Sequence, residues 1–241
     1  MSDELSDQHT IASNLKGASE PAEIPFQSRW ATALTGDRTV LGELAADCWA
    51  PIYGWLRAYG STPEEAARRM LEFPTWLQLH PPRPADEDYM RFSDYVLNRL
   101  GLYADARFPA VKPVIAVTID QARAERKFAD DGSRSPDEMF ARRWAFMILE
   151  WTLSTLRAEL DADGKVAQFS HLKGFLNFSG GTEERYAELG KEMGLTASAL
   201  RVAVFRFRQR YRELLRHWIS NTVRDAADVD GELTMLLCAA S

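Results

Sequence analysis

Residues 186–216, YAELGKEMGLTASALRVAVFRFRQRYRELLR, leave few folding options. Leu189 and Met193 give a first helix its apolar face, Gly194 can take the left-handed conformation of a sharp reversal, and Thr196 can cap a second helix. Leu200, Val204, Phe207, Tyr211 and Leu215 then recur at three- and four-residue steps, the apolar stripe of an amphipathic helix. The pattern predicts a helix-turn-helix. Its second helix is basic: arginines 201, 206, 208, 210, 212 and 216 face one acid, Glu213, in a chain of formal net charge −6. Such a local excess of positive charge on one helix fits the phosphate backbone of a nucleic acid.

The exposed side of that helix has its own order. Thr196, Ala197, Ser198, Arg201 and Phe205 lie towards its N-terminal end, the end of a recognition helix that meets base edges in the major groove. Arg201 suits a bidentate pair with guanine. Arg206, Arg208, Arg210 and Arg212 fall at varied angles and suit phosphates or intramolecular ion pairs.

The rest of the chain reads as helices and breakers. Residues 1–25 are polar and acidic and read as a disordered tail. Leu44, Cys48, Ile52, Trp55 and Leu56 keep a helical period, which Pro51 should kink or split. Thr62-Pro63-Glu64-Glu65 carries a cap, a first-turn proline and a capping-box glutamate. The helix it opens should bend or end at Pro74. After the breaker 80–84 a helix is expected over 87–102, with Phe92, Tyr95, Val96 and Leu100 on one face. Residues 105–134 lack a helical period and read as a flexible linker, with 114–119 extended but unpaired. Ser135-Pro136-Asp137-Glu138 launches a helix to about Leu160, with Phe140, Trp144, Met147, Ile148 and Trp151 as its stripe. Asp161 to Gly164 reads as a turn, because the later ligands and closing glutamate of a calcium loop are missing. A second helix is expected over 167–178. The expected fold is therefore all-α: helical domains at 26–104 and 135–224, the linker between them, the helix-turn-helix in the second domain, and a tail helix at 225–241.

Several classes of function find no support. No apolar run approaches the length of a membrane helix, about 20 residues, and the first residues do not resemble a signal peptide, so a cytoplasmic protein without membrane attachment is expected. Cys48 and Cys238 sit in apolar contexts and read as small buried hydrophobes rather than a disulfide or metal site. Histidines 9, 80, 171 and 217 are scattered outside any metal or nucleophile motif, so no metal, cofactor or enzymatic activity is expected.

With both halves in view, the chain resembles bacterial RNA polymerase sigma factors of the extracytoplasmic-function type. The residues that carry the resemblance are FARRWAFMILEWTLSTLRAEL (140–160), the 186–216 stretch, and TVRDAADVDGELTMLL (222–237). Weaker echoes are RWATAL (29–34), WAPIYGWLRAYGSTPEEA (49–66), LEF (71–73) and RFSDYVLNRL (91–100). The resemblance implies a first domain that grips core RNA polymerase and melts promoter DNA at the −10 element. It places polymerase contacts at Glu65, Arg68, Arg69, Glu72 and Phe73. It implies a second domain that reads the −35 element through Thr196, Ala197, Ser198, Arg201, Phe205, Arg206 and Arg208. It leaves room for a regulatory anti-sigma partner, and it implies no cofactor and no catalysis. Two stretches depart from the family pattern. Ala67, Arg68, Arg69 and Met70 stand where acidic and polar residues are usual, and GLYADARFPAVKPV (101–114) is nearly neutral where the family is strongly basic. These departures support an alternative: a sigma-derived DNA-binding regulator or adaptor that no longer acts as a polymerase specificity subunit.

Overall fold

Most helices here begin at a side chain that accepts hydrogen bonds from the first turn. The computed structural model describes residues 28–82, 89–176 and 182–240; the expected tail at 1–25 lies outside them. Ser28 caps α1 (Arg29–Leu34), Asp37 caps α2 (Arg38–Asp47) and Thr62 caps α4 (Pro63–Leu79), each accepting from the helix's own amides. Between them α3 (Trp49–Ala58) starts straight after α2. Pro51 thus falls in the first turn of α3, where the amide it lacks would have no intrahelical partner. Around Thr62 the capping box is complete: its hydroxyl accepts from the Glu65 amide, and the Glu65 carboxylate accepts from the Thr62 amide at 2.9 Å.

The later helices are α5 (Phe92–Asp105), α6 (Gln121–Asp130), α7 (Pro136–Ala162), α8 (Val166–Leu172), α9 (Glu183–Glu192), α10 (Ala197–Ser220) and α11 (Val229–Ala240). The fold is all-α. Among the described residues there is no strand, only an isolated bridge between Arg91 and Val223.

The described chain divides into two compact units, one of residues 28–151 with 216–240 and one of Thr152–Leu215. The chain passes between them within α7 and within α10, not within 105–134. The larger unit is built on buried aromatics, with Trp30, Tyr53, Phe73, Phe92, Tyr95 and Tyr103 almost wholly excluded from solvent. Trp30 packs its ring 4.9 Å from Tyr95 and 5.2 Å from Phe92.

Three findings differ from the sequence reading. The first is that α4 runs through Pro74 to Leu79. Pro74 is buried beside Phe73 and Trp76, so packing of this segment offsets the one backbone bond the proline removes. The second is a helix, α6, inside the span expected to be a linker. Glu125 of α6 accepts from Tyr53 Oη at 2.5 Å and from Arg57 at 2.8 and 3.0 Å. Val114 donates its amide to Thr75 Oγ1 at 3.0 Å, and a Cβ at Gly42 would collide with the Ile115 side chain. Residues 114–130 are thus hydrogen-bonded to α3 and α4 and lie close against α2 at Gly42. The third is Cys238, which is exposed, whereas Cys48 is buried and its thiol is pushed up by burial.

The expected C-terminal helix is α11. It is tied to the larger unit through Glu232, which is buried and accepts from Trp144 Nε1 at 2.9 Å and pairs with Arg91 Nε at 3.3 Å. Burial raises its carboxyl above the usual range, against the pull of Trp144 and Arg91.

Candidate nucleic-acid interface

The smaller unit closes around one apolar cluster. Leu200, Ala203, Val204, Phe207 and Leu214 of α10 are buried against Leu156 of α7, Leu172 of α8 and Phe175 of the 3-10 turn Lys173–Phe175. Tyr186 and Leu189 of α9, Met193 just after it and Tyr211 of α10 pack on the same cluster. The three- and four-residue stripe read from the sequence is therefore the inner face of α10, and its other face is left outward.

The turn between α9 and α10 is closed by backbone geometry that only some residues permit. Gly194 has φ +65°. Its amide donates to Lys191 O at 3.2 Å, and the next amide, Leu195, reaches back to Gly190 O at 2.8 Å. This pair of reversed bonds satisfies carbonyls that the end of α9 would otherwise leave open. Gly190 has a separate role: a Cβ there would sit 2.8 Å from Leu195 O. Thr196 then caps α10, its hydroxyl accepting from the Ala199 amide at 3.1 Å.

At 100° per residue, Ser198, Arg201, Val202, Phe205, Gln209 and Arg212 share the outward face of α10, and all are exposed. Thr196 is exposed at its start and Ala197 is half-buried. Arg206 is exposed on one flank; Arg208, half-buried, lies on the other. The seven residues expected to contact DNA thus gather on and beside one face.

The arginines are not all available to a partner. Arg201 forms an ion pair with Glu183 of α9, which raises the guanidinium's pKa. Arg210 is held by Glu159 at 2.7 Å and Glu213 at 3.0 Å, and its pKa is raised for the same reason. Arg216, in the larger unit, pairs with Asp230 at 2.5 Å. Arg208 donates from Nε to Phe175 O at 2.7 Å. The intramolecular role expected as one option for this set is the one taken by Arg210. Between 152 and 215 ten lysines and arginines stand against eight acids, so the unit is weakly positive in a chain of net charge −6. Glu183 was missed from the sequence because it lies 18 residues from Arg201 on a different helix.

The residues expected to contact polymerase lie together on α4, but most are occupied. Phe73 is wholly buried, so its side chain presents nothing outward. Glu72 is also buried, accepting from Arg68 at 2.9 Å and Tyr103 Oη at 3.2 Å. Arg69 donates to Ser61 Oγ at 2.5 Å and stacks over Phe108, 3.9 Å from the ring centre. Glu65 serves the capping box, and the Thr62 amide holds its carboxyl below the usual range. Arg68 and Glu65 each combine an ion pair, with Glu72 and Arg69 respectively, with a side chain about half-exposed.

Among the described residues no cluster of three or more His, Cys, Asp or Glu could hold a metal ion, and no helix is long and apolar enough to cross a membrane. No protein-family model, no curated protein and no solved structure matches the chain.

Proposed function

We propose that this chain is a sigma-factor-like transcription initiation factor of the cytoplasm, which binds core RNA polymerase and recognises promoter DNA through a helix-turn-helix formed by α9 and α10. The observation that carries the reading is the outward face of α10: capped by Thr196, set by the turn at Gly194, and lined by Ser198, Arg201, Phe205 and Arg212. A face of that width and charge suits the major groove, with its N-terminal residues, Arg201 among them, at base edges and its later arginines at phosphates. The reading includes no cofactor and no catalysis by this chain, and it admits an anti-sigma partner.

A second reading is favoured by the burial of Phe73 and Glu72 and by the internal bonds of Arg69. In it the chain is a sigma-derived DNA-binding regulator that no longer acts as a polymerase specificity subunit. Pull-down of the whole chain with core polymerase, followed by transcription from templates it selects, separates the two. Stable association and promoter-dependent transcripts support the first. DNA affinity without polymerase association supports the second. Absence of sequence-specific DNA affinity overturns both.

A further inference from the structure

We infer that Phe205 is a specificity residue that reads the methyl group of a thymine in duplex DNA, one or two base pairs from the guanine read by Arg201; this rests on the DNA-binding reading above. Phe205 is 62% exposed and Val202, one turn before it, is 48% exposed. The other large apolar residues of α10 between 197 and 215 point inward or pack on the cluster. Among the described residues no ring and no guanidinium stacks on Phe205. An aromatic ring left in water beside one exposed valine on a mainly polar face is the kind of exposed apolar group that marks a contact surface.

The surroundings select the contact. Exposed Arg201, Arg206 and Arg212 flank the Val202–Phe205 pair, so a polyanion fits this face better than an apolar protein surface does. In the major groove the apolar group on a base edge is the C5-methyl of thymine. A phenyl ring cannot satisfy the donors and acceptors of the other bases, and over them it would strip water without replacing a hydrogen bond. Positions 201 and 205 are one helical turn apart, about 6 Å between side-chain bases. Base pairs stack about 3.4 Å apart, so the thymine falls within about two steps of the guanine.

The test uses the full-length chain. Duplexes are selected from a random pool, and each thymine of the enriched sequence is replaced in turn by deoxyuridine, which removes only the methyl. The expected result is one position beside a guanine where the replacement weakens binding about fourfold, the worth of burying one methyl group. Phe205→Ala should bind the thymine and uracil duplexes alike, and Phe205→Leu should restore part of the difference. Circular dichroism of each variant checks that α10 is intact. Enriched DNA whose binding ignores every thymine methyl, or a methyl effect that survives in Phe205→Ala, overturns this inference and leaves DNA binding standing. Failure to enrich any sequence overturns the DNA-binding reading and this inference with it.

Discussion

Replacing Gly190 by alanine should open the turn on which the α9–α10 arrangement depends. By helix propensity alone the change is favourable by about 1 kcal/mol, because alanine loses less backbone entropy than glycine. Geometry opposes it. The new Cβ would lie 2.8 Å from Leu195 O, a backbone atom held between the left-handed Gly194 and the capping residue Thr196. Relief requires Leu195 to shift away from α9 as a whole, its N–H with its carbonyl, which breaks the Leu195 N–H bond to Gly190 O, 2.8 Å long. Losing that bond costs about 1 kcal/mol net. Forcing an extra carbon against packed atoms adds roughly 1–3 kcal/mol. Set against the propensity gain, the turn should be destabilised by about 1–3 kcal/mol. Hydrogen exchange in the whole chain reads this locally: protection of the Leu195 amide should fall by about five- to 150-fold, while buried amides of the larger unit stay unchanged. Gly194→Ala has free space around its Cβ and should lose about 1–2 kcal/mol from its positive φ alone. A Gly190→Ala variant whose Leu195 amide is as protected as in the parent chain would refute the packing argument.

Other perturbations test other parts of the molecule. Glu183→Gln frees Arg201 from an exposed, solvent-screened ion pair, so affinity for selected DNA should rise modestly at low salt; a drop in affinity would mean Glu183 orients Arg201 rather than competing for it. Phe73→Ala should destabilise the larger unit by about 3–5 kcal/mol in chemical denaturation, as expected for an emptied core site; a loss below 1 kcal/mol would contradict its burial. Hydrogen bonds from Arg57 first and Tyr53 next, working against burial, hold the Glu125 carboxyl below the usual range. A lowered folded-state pKa adds stability above the unfolded value, about 4.3, and that stability is lost as pH falls through the folded value. Glu125→Gln should therefore lower thermal stability at pH 7 and flatten its decline below about pH 4.3; an unchanged acid slope would remove Glu125 from the cause.

Much of the all-α fold is legible as local grammar. Thr62 with Glu65, Ser135 with Glu138, and Gly194 before Thr196 each encode a boundary within four residues, and the structure uses all three. The stripe of α10 is equally local. What escaped the sequence reading is tertiary. The α6 segment QARAERKFAD has little apolar content, and its anchoring comes from Glu125 on Tyr53 and Arg57 and from Arg57 over the Phe128 ring, 4.8 Å away. Pro74 reads as a breaker because the burial around it is set by helices distant in sequence. Spacing leaves phosphates and intramolecular ion pairs both open for Arg210 and cannot show the partner of Arg201, because the acids that meet these two come from α9 and α7 as well as from α10 itself. Positions on a helix face can be read from spacing; the partners of those positions cannot.

The acids beside Arg201 and Arg210 act as counterions fixed to the protein. A guanidinium that already has one gains less from a phosphate, and fewer mobile ions are set free when it docks. On a DNA partner this chain would therefore hold random sequence loosely and lose little affinity as salt rises, for a helix so rich in arginine. Time spent on wrong sites would shrink accordingly, and discrimination would fall to the contacts made by the exposed residues of α10.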